Sequence, residues 1–510
     1  MNIPSEIKNI LPILKNAGYD AYIVGGCVRD LLRATEPQDW DLTSNAAPQE
    51  IEAIFNKAGY KTFYENAFGT VSVITDSENE RLKTIEITPF RVESKYTDKR
   101  HPDKVEFAKT LQDDLSRRDF TINAIAANVT LRRKEKGLGR DSSPTVQNDK
   151  IKVIDPFGGQ KDLENKIIRA VGEPKERFQE DALRLMRAVR FATTLTTGEI
   201  WQIEAKTKKA IIENSRLLKQ ISQERIRDEL VKIIMSPNAS EGIELLRELG
   251  LLSYIIPELE EGFAIDQSKH HIYDIYQHNI LSLKYACEQN YSLEARLASL
   301  LHDIAKPRTK RGIGQNSTFY NHEIVGAKMS YQILRRLRFP KKIIDKVVKL
   351  VRFHLFYYNV DEVGASSVRR LVKNVGAENM EELLQLRKAD RIGSGVPKAE
   401  PYKLRHLKYL VEKVSKDPLS AKMLKINGAD IMKILDIKPG PKVGQVLSYL
   451  LSYVLSYPEK NDREFLESEV KRLGAMSDKD LQDLANKAKT ETEKVEQKRD
   501  NMTKSKYWVT

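Results

Sequence analysis

Over the first 130 residues, apolar positions come in short runs of three to five. Tyr22–Val24, Val71–Ile74, Thr84–Thr88 and Val105–Phe107 have the character of strands. Residues 5–17 and 48–58 instead repeat their apolar positions with a helical period. Strand and helix signals mixed in one segment predict an α/β module over residues 1–150. Within it, residues 131–150 carry Gly137, Gly139, Ser142, Ser143 and Pro144 and read as a polar loop insertion. From about residue 160 the pattern is helical nearly throughout, most clearly at 177–195, 222–235 and 239–249, and Gly250 stands where a helix C-cap is expected. This divides the rest into a helical neck at 151–265, a histidine-bearing helical segment at 266–395 and a helical C-terminal body with a basic tail at 396–510. Residues 480–506, rich in Lys and Glu and poor in large apolar side chains, predict a solvated helix or disorder.

Residues 23–45, IVGGCVRDLLRATEPQDWDLTSN, concentrate the candidate chemistry. The apolar run Ala21–Val24 ends at Gly25-Gly26, and Val28, Leu31 and Leu32 follow at helical spacing, so a strand, a turn and a helix are predicted. Asp39 and Asp41 flank Trp40. In an extended strand, residues two apart share a face, which puts both carboxylates on one side and the indole on the other. Two such carboxylates repel unless a cation sits between them, and that geometry suits one or two Mg²⁺ ions holding a triphosphate. Glycine lets the backbone approach a phosphate closely. Asp-Trp-Asp taken alone also fits an ordinary solvated turn.

The length of 510 residues predicts roughly three or four domains. No run of about 18 apolar residues and no cleavable leader is visible, so no membrane partner is expected. Cys27 and Cys287 give no disulfide framework, which fits the reducing cytoplasm. The net charge of +13 favours a polyanionic partner such as nucleic acid. A merely basic soluble enzyme is the other reading.

Three more blocks lie downstream: DDLSRRDFTINAIA at 113–126, DPFGGQKDL at 155–163 and ERFQEDALRLMRAVRF at 176–191. In the last, Asp181, Arg184, Arg187 and Arg190 recur every three residues, a stripe that winds slowly around a helix. Asp181 and Arg184 are neighbours at i,i+3. Asp only accepts hydrogen bonds and Arg only donates them. Together they can read a base edge bearing an amino group and an acceptor, which cytosine and adenine offer and uracil and guanine do not. A surface salt bridge on an amphipathic helix is the competing reading.

With GGCVRD and DWD, these blocks resemble, in order and spacing, the class II tRNA nucleotidyltransferase and bacterial poly(A) polymerase family. The resemblance covers residues 20–260, about half the chain. It implies an α/β nucleotidyltransferase head with a polymerase-β-like palm, followed by an all-helical neck, body and tail. It implies that Asp39 and Asp41 are catalytic and hold Mg²⁺ while an RNA 3′-hydroxyl attacks the α-phosphate of CTP or ATP and pyrophosphate leaves. Gly25, Gly26, Arg29 and Arg118 are implied at the triphosphate, Asp119 and Asn123 at the ribose, and Asp181 and Arg184 at the base. Arg187 and Arg190 continue toward phosphate or structural partners. Asp30 is expected to orient Arg29, and Phe120, Ile122 and Ile125 are expected in the core. Glu86 is left open between a third carboxylate and an ordinary strand-face residue. Tyr96–Asp103 resembles the family's mobile loop. The implied function is template-independent addition of CCA to tRNA. The blocks INAIA and EDALR favour it over poly(A) addition, whose enzymes more often resemble INALYY and EDPVR. A-only and CC-only addition stay open.

Six of the eight histidines fall between residues 270 and 354. His278, His302-Asp303, His322, His354 and Asp390 stand in an order that resembles an HD-type domain, an all-helical metal-dependent phosphohydrolase fold. The resemblance implies a second divalent metal on His278, His302, Asp303 and Asp390. His322 and His354 are candidates for a further ion or a phosphate, with Lys306 and Arg308 as nearby cations. An HD-like body that binds RNA without turnover is the alternative. An HD phosphohydrolase whose head only binds RNA is the rival reading for the whole chain. His270 and His271 are expected in a loop, and His101 and His406 carry no metal expectation. Oligomeric state is not legible.

Overall fold

The computed structural model describes residues 3–64, 69–94, 104–130, 150–196, 198–267, 272–312, 316–360, 362–415 and 424–509. Of the loop expected at 131–150, residues 131–149 lie outside the described residues, as do the segment Tyr96–Asp103 with His101, and His270 and His271.

The head is built on a seven-stranded sheet. Its strands are β1 (Ala21–Val24), β2 (Asp41–Ser44), β3 (Lys61–Tyr64), β4 (Val71–Ile74) and β5 (Thr84–Pro89), with β8 (Ala126–Thr130) and β9 (Lys150–Ile154). β6 (Arg91–Ser94) and β7 (Lys104–Phe107) form a separate hairpin. The spatial order is β3-β4-β5-β2-β1-β8-β9. The β2–β5 pair is parallel and the other pairs are antiparallel. β9 carries the head sheet across the boundary expected at residue 150.

The helix Ser5–Asn16 buries Ile7, Ile10, Leu11 and Leu14, spaced as one helical stripe. The helix Pro48–Lys57 buries Ile51 and Phe55, and its start is fixed by the Glu50 carboxylate accepting from Ala47 N at 2.7 Å. Phe120, Ile122 and Ile125 are fully buried, as expected.

The neck is helical, with helices Pro174–Glu180, Leu183–Thr194, Ala205–Asn214, Gln223–Met235 and Ala239–Glu248. Gly250 adopts φ +68° just past the last of these, and Leu251 N returns to Leu246 O at 2.8 Å, a glycine-closed helix end. The expected single helix over 177–195 is two helices. Asp181 is extended (φ −129°, ψ 106°) between them.

The chain divides into two compact units, residues 1–351 with 393–395, and residues 352–392 with 396–510. In the second unit the helix Asp478–Lys506 is continuous, and it is not solvated all round. Leu481 joins Val446, Leu450, Val454, Leu466, Val470 and Leu473 in one apolar cluster.

Candidate active site

β1 delivers the chain to Gly25, whose φ of +83° is a left-handed value that glycine adopts freely. A Cβ there would lie 2.6 Å from Arg118 Nη1, so the glycine also makes room for that guanidinium. Gly25 N donates to Ile125 O at 3.0 Å, tying this turn to the RRDFTINA block. In the helix Gly26–Leu32, Arg29 makes a two-pronged pair with Asp30, Nε and Nη2 each lying 2.9 Å from a carboxylate oxygen. Its Nη1 donates to Asn123 Oδ1 at 2.8 Å. Asp30 therefore orients Arg29, as the sequence suggests.

Asp39 is exposed and lies in a bend, Trp40 is 5% exposed, and Asp41 is the first residue of β2. The side chains thus alternate across the chain as expected, although Asp39 precedes the strand. The parallel β2–β5 register sets Asp41 beside Glu86, and Ile85 and Ile87 on either side of Glu86 are buried. Register partners in adjacent strands face the same side of the sheet, so Glu86 joins the Asp41 edge. Burial and the neighbouring Asp39 charge push the Asp41 carboxyl up to about 6, with the Arg118 cation pulling the other way. A half-buried carboxylate that resists ionisation beside a second carboxylate fits a bound divalent cation. Cys27 lies beneath, and burial pushes its thiol up to about 12, which leaves it unreactive.

Arg118 lies 3.6 Å from Asp114, and among the described residues its buried Nε has no hydrogen-bond partner. The Arg118 guanidinium, beside Gly25 and electrostatically coupled to Asp41, keeps part of its side chain exposed, which suits an anionic ligand. Asp119 is nearly saturated. Its Oδ1 accepts from Phe120 N at 2.8 Å and Asn123 Nδ2 at 3.1 Å, and its Oδ2 accepts from Arg187 Nε at 2.7 Å. Burial opposes ionisation of Asp119, but Arg187, Asn123 and Arg184 outweigh it and hold the carboxyl well below its usual range. The ribose contact expected of Asp119 meets a carboxylate already committed to these partners.

The DPFGG block braces this region. Asp155 accepts from Gly159 N and Gln160 N, both at 2.8 Å, and Thr121 Oγ1 donates to Asp162 at 2.7 Å. A side chain at Gly159 would run into the Thr121 carbonyl.

Asp181 and Arg184 do not pair with each other. Asp181 Oδ1 accepts from Leu183 N at 2.9 Å, and Oδ2 lies 3.1 Å from Arg225. Arg184 is buried and donates to Glu180 at 2.7 Å, to Arg177 O at 3.1 Å and to Arg117 O at 2.8 Å. The stripe is therefore interrupted, because the Asp181 carboxylate restarts the chain as a new helix. Arg187 bridges to Asp119. Arg190 lies 2.8 Å from Glu229, and burial and Arg187 push its guanidinium down to about 10, still charged at neutral pH. Sequence reasoning missed Arg225, Glu229 and Phe191. The first two lie in a helix with no local motif, and only long-range pairing reveals them.

A second cluster lies in the same compact unit. His278, His302 and Asp303 are fully buried and close enough to share one ion. His278 Nε2 and His302 Nε2 lie 3.1 and 3.3 Å from Asp303 Oδ2, and His322 Nε2 lies 3.3 Å from Oδ1. His302 Nδ1 faces Ser299 O at 2.9 Å and His322 Nδ1 faces Phe319 O at 2.7 Å, contacts that aim both Nε2 atoms at Asp303. Lys306 Nζ lies 2.6 Å from both Asp303 Oδ2 and Gln267 Oε1. Burial disfavours the Asp303 carboxylate, yet His302, Lys306 and His278 hold its carboxyl well below the usual range. Arg308 is drawn off to Glu261. Asp390 and His354 belong to the second unit, where the Asp390 carboxylate accepts from Arg387 at 2.6 Å.

Three family models match the chain in succession. They describe a poly A polymerase head domain over residues 21–169, a probable RNA- and SrmB-binding site of polymerase A over 201–263, and an HD domain over 275–394. A CCA-adding enzyme of Ligilactobacillus salivarius is 33% identical over 477 residues, covering 92% of this chain and 98% of its own length. An A-adding tRNA nucleotidyltransferase of Deinococcus radiodurans is 32% identical, covering 84% of this chain and 90% of its own. Among solved structures, the Bacillus stearothermophilus CCA-adding enzyme in complex with CTP matches with a TM-score of 0.55 and 26% identity, covering 92% of this chain and 98% of that one.

Proposed function

The chain belongs to the class II CCA-adding enzyme and poly(A) polymerase family, with an HD domain, and we propose that it adds C, C and A to the 3′ end of tRNA from CTP and ATP without a template. The observation that carries this reading is the acidic edge of Asp39, Asp41 and Glu86 set against the Arg118 guanidinium. Carboxylates for a cation and a guanidinium for phosphate stand side by side, which is the charge pattern of a metal-bound triphosphate. The CTP of the B. stearothermophilus complex supports the same substrate class.

In this mechanism Asp39 and Asp41 would hold Mg²⁺, with Glu86 beside them. Once bound, the ion would supply charge that lowers the pKa of the attacking 3′-hydroxyl and offsets the leaving pyrophosphate. Arg118 and Arg29 grip the triphosphate, and the Gly25-Gly26 backbone admits it closely. Asn123 contacts the ribose by exchanging a contact it now makes with Arg29 or Asp119, while Asp119 serves the nucleotide through the Asn123 and Arg187 side chains that it holds. Asp181 and Arg184 read the base. Each has partners at present, so reading C or A exchanges contacts such as Asp181 with Arg225 for contacts with the base. Arg190 supports the neck through Glu229. The setting is the cytoplasm. No helix among the described residues is long and apolar enough to cross a membrane.

Incubating the protein with tRNA that lacks its 3′ end and with labelled CTP and ATP tests this reading. Addition of CC, then one A, then arrest supports it. Long A tracts identify a poly(A) polymerase, and A added only to tRNA ending in CC identifies an A-adding enzyme.

The His278–His302–Asp303 cluster favours a second reading for the HD segment, a divalent metal site that supports phosphohydrolase activity. Lys306 is the neighbouring cation for a phosphoryl group. Metal-dependent phosphate release that is lost in Asp303→Ala tests it.

A further inference from the structure

One aromatic ring joins the two halves of the nucleotide site. Phe191 is 5% exposed, and among the described residues three guanidinium groups lie within cation–π range of it. Arg190 is 4.0 Å from its centroid, Arg187 5.2 Å and Arg29 5.5 Å. The ring of Phe120, from the RRDF block, meets it edge-on at 5.7 Å and 81°. Arg29 and Phe120 come from the head, Arg187 and Arg190 from the neck.

Three cations around one ring repel one another. Each has its own carboxylate: Asp30 for Arg29, Asp119 for Arg187 and Glu229 for Arg190. The pairs also connect, since Arg29 donates to Asn123, Asn123 to Asp119, and Arg187 to Asp119. A closed circuit therefore runs from Arg29 through Asn123, Asp119, Arg187 and the Phe191 ring back to Arg29. The ring's negative face is the one element of that circuit that needs no hydrogen-bond donor or acceptor of its own.

We propose that Phe191 is a positioning residue for the nucleotide, its ring fixing the Arg29 guanidinium in the head against the base-reading helix of the neck. The inference deepens the proposed function and rests on Arg29 as a triphosphate ligand. Phe191 touches no substrate. It sets where the triphosphate's arginine stands relative to the residues that read the base.

The test separates the ring's charge distribution from its bulk. Fluorinated phenylalanines at position 191 keep the size of the ring and progressively weaken its negative face. Direct binding of CTP and ATP is measured for mono-, di- and trifluorinated rings, together with the melting temperature and tRNA affinity. The expected result is a stepwise loss of nucleotide affinity reaching roughly ten-fold, consistent with cation–π strengths, with tRNA affinity unchanged and the melting temperature falling only slightly. Phe191→Leu should lose at least as much, and Phe191→Tyr should retain most of it. Nucleotide affinity that is indifferent to fluorination overturns the inference and assigns Phe191 to packing alone, while CCA addition by the wild type would still stand. A protein that binds CTP and ATP in a fluorination-dependent way but never extends tRNA would sink the proposed function and leave the inference intact. A wild type that binds neither nucleotide overturns both.

Discussion

Arg187 Nε donates to Asp119 Oδ2 at 2.7 Å, so a head carboxylate expected at the ribose meets a neck arginine expected at phosphate or a structural partner. Asp119 is nine-tenths buried, and a buried carboxylate deprived of its cation is costly. Arg187→Met should therefore destabilise the protein by about 2–4 kcal/mol at neutral pH, read by chemical denaturation. Part of that loss should return in the double variant Arg187→Met/Asp119→Asn, which removes the stranded charge. The pH sign follows from the lowered folded pKa of Asp119. The pair's contribution is fully present above the ordinary value of 3.8 and fades as pH falls toward the lower folded value, so the variant and the wild type should converge in strong acid. A constant difference down to the lowest pH would remove Asp119 from the explanation.

Asp41 behaves in the opposite sense. Its folded pKa is raised from 3.8 to about 6, so without metal its effect is least harmful below the unfolded value, and the fold loses stability as pH rises through 6. Asp41→Asn removes that burden. Measured by denaturation in chelator, the variant should be more stable than wild type at pH above 7, by up to about 3 kcal/mol, and match it near pH 4. Magnesium should raise the melting temperature of the wild type at the higher pH and leave the variant nearly unmoved. Transfer should be abolished with tRNA binding retained. A variant that still responds fully to magnesium would remove Asp41 from the metal site.

The HD cluster should be separable from the head. Asp303→Ala deletes the carboxylate that faces His278, His302 and His322. Equilibrium dialysis against a divalent first-row metal should show one fewer ion bound, with metal-dependent phosphate release gone and CTP incorporation into tRNA within about two-fold of wild type. Unchanged metal stoichiometry would assign the cluster to folding alone. Asp303→Asn serves as the check on folding, because it keeps the shape of the side chain.

The readable parts of the sequence were those whose physics is local. Gly25 was legible because a strand ran into a double glycine, and its φ of +83° bears that out. The alternation around Trp40 gave the orientation of Asp41, and Asp30 beside Arg29 gave their pairing. Glu86 could not be decided from its own strand, since only the parallel register with β2 places it beside Asp41. The break at Asp181 was hidden because the Ala, Leu, Arg and Met of EDALRLMRAVRF favour a continuous helix and the lone Asp181 was read as part of its charged stripe. It is imposed by the carboxylate that receives Leu183 N and by Arg225, which lies 44 residues away in sequence. The strand β3 was missed because it is largely exposed and lacks alternation. The C-terminal helix looked solvated because its buried face begins with one leucine, Leu481, and continues with the small Ala485 and Ala488.

The central claim is a division of labour in which Asp39 and Asp41 hold metal and are blind to the base, while Asp181 and Arg184 choose it. The most direct measurement offers tRNA lacking its 3′ end to the wild type, Asp41→Ala and Asp181→Ala, with all four ribonucleotides present, and sequences the products. The account requires CCA from the wild type, no addition from Asp41→Ala despite retained tRNA binding, and continued addition from Asp181→Ala with U and G entering alongside C and A. Unchanged C and A selection by Asp181→Ala, or synthesis by Asp41→Ala, would contradict it.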